Sequence, residues 1–233
     1  MTMTTTDLWA RALALWTGGL GHAWEHYMAA QEAILAQGRA LVGQTPATVV
    51  WTEGRARLLR YTPQVTPTLP VPLLCVPSLI NRYYVMDLLP ERSLVRYLVG
   101  RGVDVYMLDW GTATRVDRYR PFDEYITGLL RHAVAAICHM TGQPAVSLLG
   151  YCMGGLFAIL YTVLYPDEVA ALINLAGPVN YHDDGIYSLW TRPEWLDADL
   201  YVDTLGNIPA PLLNVTFNLV RPTNELIQAY NYW

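Results

Sequence analysis

The sequence predicts an α/β protein built around a mostly parallel β-sheet. Short runs that are apolar at every position alternate with longer amphipathic stretches, and glycine or proline separates the two kinds of segment. A strand that is apolar on both faces is typical of a parallel sheet covered by helices. An apolar fraction of 53% and a charged fraction of 15% supply the core that such a sheet requires, and they exclude a disordered chain.

The elements follow from these patterns in chain order. Residues 7–43 show an apolar spacing close to the helical period, and residues 48–61 contain enough β-branched side chains for a pair of strands. Glycines, prolines and a serine N-cap then delimit buried strands at 71–76, 103–109, 145–149 and 169–175, and helices at 93–100, 122–140 and 154–165. We therefore divide the chain into an N-terminal helical segment with a strand connector (1–68), an α/β core (69–181) and the beginning of a cap (182–233).

Composition excludes several classes of function. The net charge of −5 provides no basic surface for nucleic acid, and all 15 basic residues are arginines. Without lysine, the chain has neither a Schiff-base lysine nor the lysine of a P-loop. Its 3 cysteines fit neither a disulfide framework nor a zinc site. We expect no leader peptide and no membrane span, because the longest apolar run (156–165) is too short, and hence a cytoplasmic protein.

The clearest chemical motif is Gly150-Tyr151-Cys152-Met153-Gly154-Gly155, which lies between a predicted strand and a predicted helix. It has the form G-x-nucleophile-x-G of the sharp strand-to-helix turn in α/β hydrolases, with cysteine in place of serine. Gly150 and Gly154 leave room for that turn, and the start of the helix favours a thiolate on Cys152. The backbone N–H of Met153 can then donate to a developing oxyanion. The alternative is a buried structural cysteine beside glycines that allow close packing.

A second oxyanion donor is expected from the loop that follows the first strand of the core. The candidates are the backbone N–H groups of Ser78 and Leu79, and the sequence does not choose between them. Cys75 lies within the apolar strand before this loop, and Cys138 lies on an apolar helix face. We expect both of these thiols to be inert.

Further segments carry a resemblance to a known family: Val76-Pro77, Ile80-Asn81-Arg82-Tyr83-Tyr84, Asp87-Leu88, Ser93-Leu94-Val95-Arg96, Leu108-Asp109-Trp110 and Asn214-Val215-Thr216-Phe217. With the cysteine motif, they make residues 51–233 resemble poly(3-hydroxyalkanoate) synthases, most closely the short type that works with a second, non-catalytic subunit. The resemblance implies an α/β-hydrolase fold and an acyltransferase that polymerises 3-hydroxyacyl-CoA through a thioester on Cys152, at a cytoplasmic polyester granule. It implies self-association as well. No metal or organic cofactor is indicated, since coenzyme A is part of the substrate.

The general base and the acid that the resemblance implies are not found where the family carries them. Family members place an aspartate and a histidine after later strands, whereas the only histidine after Cys152 is His182, followed by Asp183 and Asp184. We expect these three residues to form a solvated loop, with an improvised acid at Asp183 or Asp184 as the alternative. The expectation is therefore a C-terminally truncated synthase, with a sheet incomplete on its C-terminal side, an exposed edge strand and little activity of its own.

The remaining histidines favour structural roles. His22 and His26 have an i, i+4 spacing that suits a metal ion, but the sequence offers no third ligand nearby. His132 and His139 are expected on a partly exposed helix face. No metal site is therefore predicted.

The segment after residue 180 is rich in aromatic side chains, namely Tyr181, Tyr187, Trp190, Trp195, Tyr201, Tyr230 and Trp233. Two interpretations stay open: a lid or a face that meets the granule or the partner subunit, and ordinary packing within a cap.

Two other functions also stay open. One is a cysteine-type α/β hydrolase that acts on a small ester, lactone or thioester, against which the segments 80–84 and 214–217 argue. The other is a non-catalytic remnant that binds granules or a partner subunit, which the missing base and acid favour. The sequence does not reveal the acyl chain length or the identity of the partner.

Overall fold

The computed structural model describes residues 42–180, 182, 185, 188–189, 191–209, 212–213 and 216. The predicted N-terminal helix, including His22 and His26, lies almost wholly outside the described residues, as do Asp183 and Asp184. The chain divides into two compact units, whose described parts are residues 42–45 with 84–96, and residues 46–83 with 97–216. Among the described residues, no helix is both long and apolar enough to cross a bilayer.

Within the described residues, eight strands form a six-stranded sheet in the larger unit and a two-stranded hairpin in the smaller one. They are β1 (Ala47–Glu53), β2 (Ala56–Tyr61), β3 (Leu73–Val76), β4 (Asp87–Leu89), β5 (Arg92–Ser93), β6 (Val105–Asp109), β7 (Val146–Tyr151) and β8 (Val169–Leu175). The large sheet has the order β1-β2-β6-β3-β7-β8. Its first three strands pair antiparallel and the remaining pairs are parallel, which confirms the mostly parallel sheet that the sequence predicts. Since β1 and β2 belong to this sheet, it extends into the segment 1–68.

The α-helices of the described ranges are α1 (Leu94–Val99), α2 (Arg131–Thr141), α3 (Met153–Leu164) and α4 (Ala198–Leu205). Helix α1 begins where the sequence predicts, because the Ser93 hydroxyl accepts a hydrogen bond from the Arg96 amide at 2.9 Å. Helix α2 ends at Gly142, whose φ of 70° lies in the left-handed region. Helix α4 has no predicted counterpart; the Asp197 carboxylate caps it by accepting from the Leu200 amide at 2.9 Å.

The core lies where the parallel strands meet the helices that connect them. Leu74, Tyr106 and Leu148 in the central strands and Phe157 in α3 are fully buried. The predicted helix 122–140 is interrupted, because Glu124–Leu130 form a π-helical segment before α2 begins. Its wider turns bring three apolar side chains into the core: Ile126, Leu129 and Leu130.

The smaller unit is organised by one buried carboxylate. Asp87, in β4, is 2% exposed and accepts hydrogen bonds from the Thr45 amide at 3.0 Å, the Thr45 hydroxyl at 2.7 Å and the Ser93 hydroxyl at 2.5 Å. These bonds join the two strands of the hairpin to the segment before β1. A short hairpin of this kind leaves no periodic pattern in the sequence and was not predicted.

Strand β8 forms one edge of the large sheet among the described residues. Six of its seven residues are exposed, including Leu172, Ile173 and Leu175. The exposed edge strand expected from the sequence is therefore present in the described part of the chain. A parallel strand of this composition is ordinarily covered on both faces.

Candidate active site

Cys152 lies between the last residue of β7 and the first residue of α3. Its backbone has φ 53° and ψ −125°, a conformation that costs an L-residue about 1–3 kcal/mol. This geometry turns the chain sharply from strand to helix and leaves the Cys152 side chain half-buried. The turn that carries the nucleophile in α/β hydrolases also has a strained backbone between a strand and a helix.

The glycines around Cys152 are required by contacts with backbone atoms. A Cβ atom at position 150 would lie 2.4 Å from the carbonyl oxygen of Gly154, and one at position 154 would lie 2.0 Å from that of Val76. A Cβ atom at position 155 would lie 2.8 Å from the backbone Cα of Gly177 and 2.2 Å from the side-chain Oδ1 of Asn174. Strand β7, helix α3 and the end of β3 therefore meet at distances that exclude any side chain.

The loop after β8 supports the turn from the other side. The Cys152 amide donates to the Leu175 carbonyl at 3.0 Å, and the next residue, Ala176, has φ 55°. The Asn174 side chain holds this loop, because its Oδ1 accepts from the Gly177 amide at 3.0 Å and its Nδ2 donates to the Gly177 carbonyl at 3.2 Å. These residues were not predicted, although an Asn near the end of a strand followed closely by a Gly has the residue types of a side-chain-stabilised turn.

The loop after β3 begins beside the turn. Ser78 is fully buried, and its hydroxyl accepts from the Ile80 amide at 3.0 Å. The Trp110 indole N–H donates to the Pro77 carbonyl at 2.9 Å. In a trans peptide the C=O and the following N–H point in opposite directions, so this bond also fixes the direction of the Ser78 N–H.

Three backbone N–H groups beside this turn are candidates for binding a ligand. Within the described part of the chain, the amides of Ser78 and Leu79 donate to no protein acceptor. Met153 is the first residue of α3, and the first N–H groups of a helix have no intrahelical acceptor. The two loops are close together, because Val76 pairs with Gly150 across β3 and β7.

Among the residues that the structure describes, no hydrogen bond joins Cys152 to a histidine or a carboxylate. His132 Nδ1 lies 2.8 Å from Glu53 Oε2, and His182 Nδ1 lies 3.2 Å from Asn180 Oδ1. His139 is exposed near the end of α2. Nor do three or more metal-binding side chains cluster anywhere in the described ranges.

The other two thiols lie in apolar surroundings. Cys75 is fully buried in β3, and burial raises the pKa of its thiol to about 12. The pKa of Cys138 is also raised, mainly by burial and further by the Glu168 carboxylate. Of the aromatic residues predicted for a cap, Trp195 and Tyr201 are described and both are exposed. The other five, together with Asn214, Val215 and Phe217, lie outside the described residues.

The sheet order and the strained turn at Cys152 define an α/β hydrolase. Residues 71–208 match the sequence model described as alpha/beta hydrolase fold, and the chain belongs to this family. A protein described as a lipase from Sulfolobus solfataricus shares the fold, with a TM-score of 0.50 and 17% identity over 78% of this chain and 62% of its own.

Within that family, the chain is similar to enzymes of polyester synthesis. Residues 19–98 match the model described as the N-terminus of poly-beta-hydroxybutyrate polymerase (PhaC). The chain is 39% identical to the poly(3-hydroxyalkanoate) polymerase subunit PhaC of Synechocystis over 81% of its length and 51% of that protein. The PhaC subunit of Allochromatium vinosum is also 39% identical, over 81% of this chain and 53% of its own. The resemblance to poly(3-hydroxyalkanoate) synthases is confirmed, and the chain spans about half the length of these relatives.

Proposed function

We propose that this chain carries the nucleophile of a poly(3-hydroxyalkanoate) synthase, an acyltransferase that polymerises 3-hydroxyacyl-CoA. The observation that carries the proposal is the strained turn at Cys152, which presents a sulfur atom at the start of a helix. The similarity to PhaC subunits selects the polyester synthases among the many enzymes that use this fold. A simple cysteine hydrolase has the same turn, but it would not share that similarity.

The proposed reaction begins with attack of the Cys152 thiolate on the carbonyl carbon of the substrate thioester. A carbon–sulfur bond to Cys152 forms, the bond to the coenzyme A sulfur breaks, and coenzyme A leaves as a thiolate. The 3-hydroxyl of another acyl unit then attacks the carbonyl carbon of the Cys152 thioester and loses its proton to a base. A carbon–oxygen ester bond forms, the carbon–sulfur bond to Cys152 breaks, and Cys152 leaves as a thiolate. The free N–H groups of Met153 and of Ser78 or Leu79 would hold the oxyanion in both steps, and one such donor is worth a factor of about 10²–10³ in rate.

We propose that the general base and the acid are supplied by polypeptide other than the described residues. Of the described histidines, His132 is bonded to Glu53, His182 is bonded to Asn180, and His139 is exposed near the end of α2. The PhaC relatives are about twice as long as the part that this chain matches. The chain alone should therefore form the first thioester slowly and elongate it poorly. Since the relatives are named polymerase subunits, we also propose a second subunit as partner and a polyester granule as the place of action.

The test is incubation of the chain with 3-hydroxybutyryl-CoA, followed by intact-protein mass spectrometry and a thiol assay for released coenzyme A. We expect one acyl group on Cys152, absent in Cys152→Ala and retained in the matched control Cys75→Ala. Release of free hydroxy acid with turnover would favour a hydrolase instead. If neither an adduct nor released coenzyme A is found, the chain is a non-catalytic binding remnant and the proposal is contradicted.

A further inference from the structure

A cleft of about 530 Å³ opens at the carboxyl ends of β3 and β6. Leu79, Trp110 and Gly111, which follow these strands, line it on one side, and Val202 and Ile208 line it on the other. A second cavity of about 340 Å³ shares Leu79, Trp110, Gly111 and Ile208 with it, so the two spaces adjoin.

The cleft adjoins the turn that carries Cys152. Helix α3 begins against the end of β3, where the position of a Cβ on Gly154 lies only 2.0 Å from the Val76 carbonyl oxygen and 2.7 Å from that of Pro77. Ser78 and Leu79 come next in the chain, and Leu79 lines both parts of the cleft. A ligand in the cleft therefore lies beside the candidate oxyanion donors.

Arginines supply most of the charge in the cleft. Arg55, Arg118 and Arg120 line the larger space, and Arg82 lines the smaller one. Arg120 forms an ion pair with Glu124 at 2.6 Å. Arg82 and Arg118, in contrast, form no ion pair within 4.0 Å among the described residues.

The three carboxylates that line the cleft already have partners. Glu53 is bonded to His132 at 2.8 Å. Asp117 lies 3.3 Å from Arg55. Asp109 lies 2.6 Å from Arg57. None of these three carboxylates forms an ion pair with Arg82 or Arg118; the Asp203 carboxylate acts on Arg118 electrostatically, but no ion pair within 4.0 Å joins the two.

Arg82 and Arg118 are positioned while most of their donors stay free. Arg82 Nη1 donates to the Gly111 carbonyl at 3.0 Å, and Arg118 donates to the Tyr119 hydroxyl while its guanidinium lies 4.6 Å from the centre of the Tyr119 ring. A guanidinium has five N–H donors, so each side chain keeps a fork of the shape that binds phosphate oxygens.

The rest of the cleft is largely apolar, with Trp110, Tyr125, Leu129 and Ile208 along its wall. A ligand that fits has phosphate groups at one end and a less polar arm that reaches toward the cysteine. We propose that this cleft binds the phosphorylated end of a coenzyme A thioester, with Arg82 and Arg118 donating to its phosphate oxygens. The inference rests on the proposed acyl transfer at Cys152. It places coenzyme A, the leaving group of that reaction, in the cleft. The phosphopantetheine arm of an acyl carrier protein carries similar chemistry, and the experiment separates the two.

The test measures the Kd of coenzyme A by isothermal titration calorimetry. Arg118→Ala and Arg82→Ala should each weaken binding about tenfold, because each removes hydrogen bonds between charged groups. Arg82→Lys, which keeps the charge, should lose less. The matched control is Arg101→Ala, whose guanidinium lies over Tyr97 at the same 4.6 Å but precedes β6, at the opposite end of that strand. An unchanged Kd in both alanine variants overturns the inference.

The same calorimetry identifies the source of the phosphate. Coenzyme A should bind more tightly than 4′-phosphopantetheine, and pantetheine should bind wild type and variants alike. Equal affinity for coenzyme A and 4′-phosphopantetheine overturns the assignment to coenzyme A in favour of a carrier-protein arm.

Acylation of Cys152 distinguishes this inference from the proposed function. In Arg118→Ala, 3-hydroxybutyryl-CoA should acylate Cys152 more slowly than in wild type, whereas the N-acetylcysteamine thioester, which has no phosphate, should acylate both proteins at one rate. If neither thioester acylates wild type, the proposed function fails and the coenzyme A titration alone decides about the cleft.

Discussion

Replacing Gly154 with alanine tests whether the turn at Cys152 depends on backbone contact between α3 and β3. A Cβ atom at this position would lie 2.0 Å from the Val76 oxygen and 2.7 Å from the Pro77 oxygen, whereas real Cβ atoms stay at least 3.0 Å away. Because β3 is paired on both sides, helix and strand would have to separate by about 1 Å in a close-packed interior. Over-packing typically costs about 1–3 kcal/mol, and we expect a loss near the upper limit, about 3 kcal/mol.

The assay is urea unfolding followed by circular dichroism, together with the rate at which iodoacetamide labels Cys152. The matched control is Gly128→Ala, in the π-helical segment, where a Cβ would lie 3.2 Å from the flexible Glu124 side chain. Alanine there should be neutral or stabilise the protein by up to about 1 kcal/mol. If Gly154→Ala unfolds at the same urea concentration as wild type and is labelled at the same rate, the close approach does not hold the turn and the reasoning is refuted.

Three more predictions concern strain, reactivity and pH. Ala176→Gly should raise the unfolding free energy by about 0.5–1 kcal/mol, because relief of a left-handed alanine (about 1–2 kcal/mol) exceeds the added entropy of the unfolded chain; an unchanged urea midpoint would contradict it. Iodoacetamide at pH 8 should label Cys152 long before Cys75, whose pKa of about 12 and complete burial suppress reaction, and peptide mass mapping that finds equal rates would disprove this. The hydrogen bond from the Thr114 amide lowers the pKa of Asp117 below 3.8. The contribution of the ionised carboxylate to the unfolding free energy is therefore complete above that pH, and it is lost as the pH falls through the lowered pKa. Asp117→Asn should therefore be less stable than wild type at pH 7, by about 1 kcal/mol, and the gap in urea midpoints should close in acid; a constant gap would count against this assignment.

The strands of the sheet could be predicted because each is a short apolar run between glycines or prolines. The run 169–175 predicts β8 with the bounds found in the structure, and the other three predicted strands differ only at their ends. The antiparallel pair at 47–61 was predicted from the β-branched residues of its first strand, although the second strand, Ala56–Tyr61, contains none. In these segments the local apolar pattern agrees with the burial found in the structure, and this is why the strands can be predicted from the sequence.

Two of the unpredicted elements, the π-helical segment and the hairpin of β4 and β5, depend on contacts between distant residues. The π-helical segment Glu124–Leu130 has the composition of an ordinary helix, and only packing against the sheet decides which side chains turn inward. The hairpin of β4 and β5 is held by Asp87, whose partner Thr45 lies 42 residues away. Helix α4 did leave a signal, since Asp197 and Gly206 have the residue types of a helix cap and a helix stop.

The candidate site also combines features that the sequence predicts with features that it does not. The residue types around Cys152 could be found from sequence because the strained turn excludes side chains at fixed positions. The bond from Trp110 to the Pro77 carbonyl could not, because the two residues are 33 positions apart and meet only through the order of the strands. The positive φ of Ala176 has no counterpart in its residue type, since alanine rarely adopts that conformation.

The position of β3 between β6 and β7 has a consequence for synthesis on the ribosome. Both neighbours follow β3 in the chain, and about 70 residues separate Val76 from Val146. At 5–20 residues per second, a newly made β3 waits on the order of 4–14 s before β7 begins to emerge. During that interval the nascent chain exposes an apolar strand with an unpaired edge, which is the kind of segment that holdase chaperones recognise.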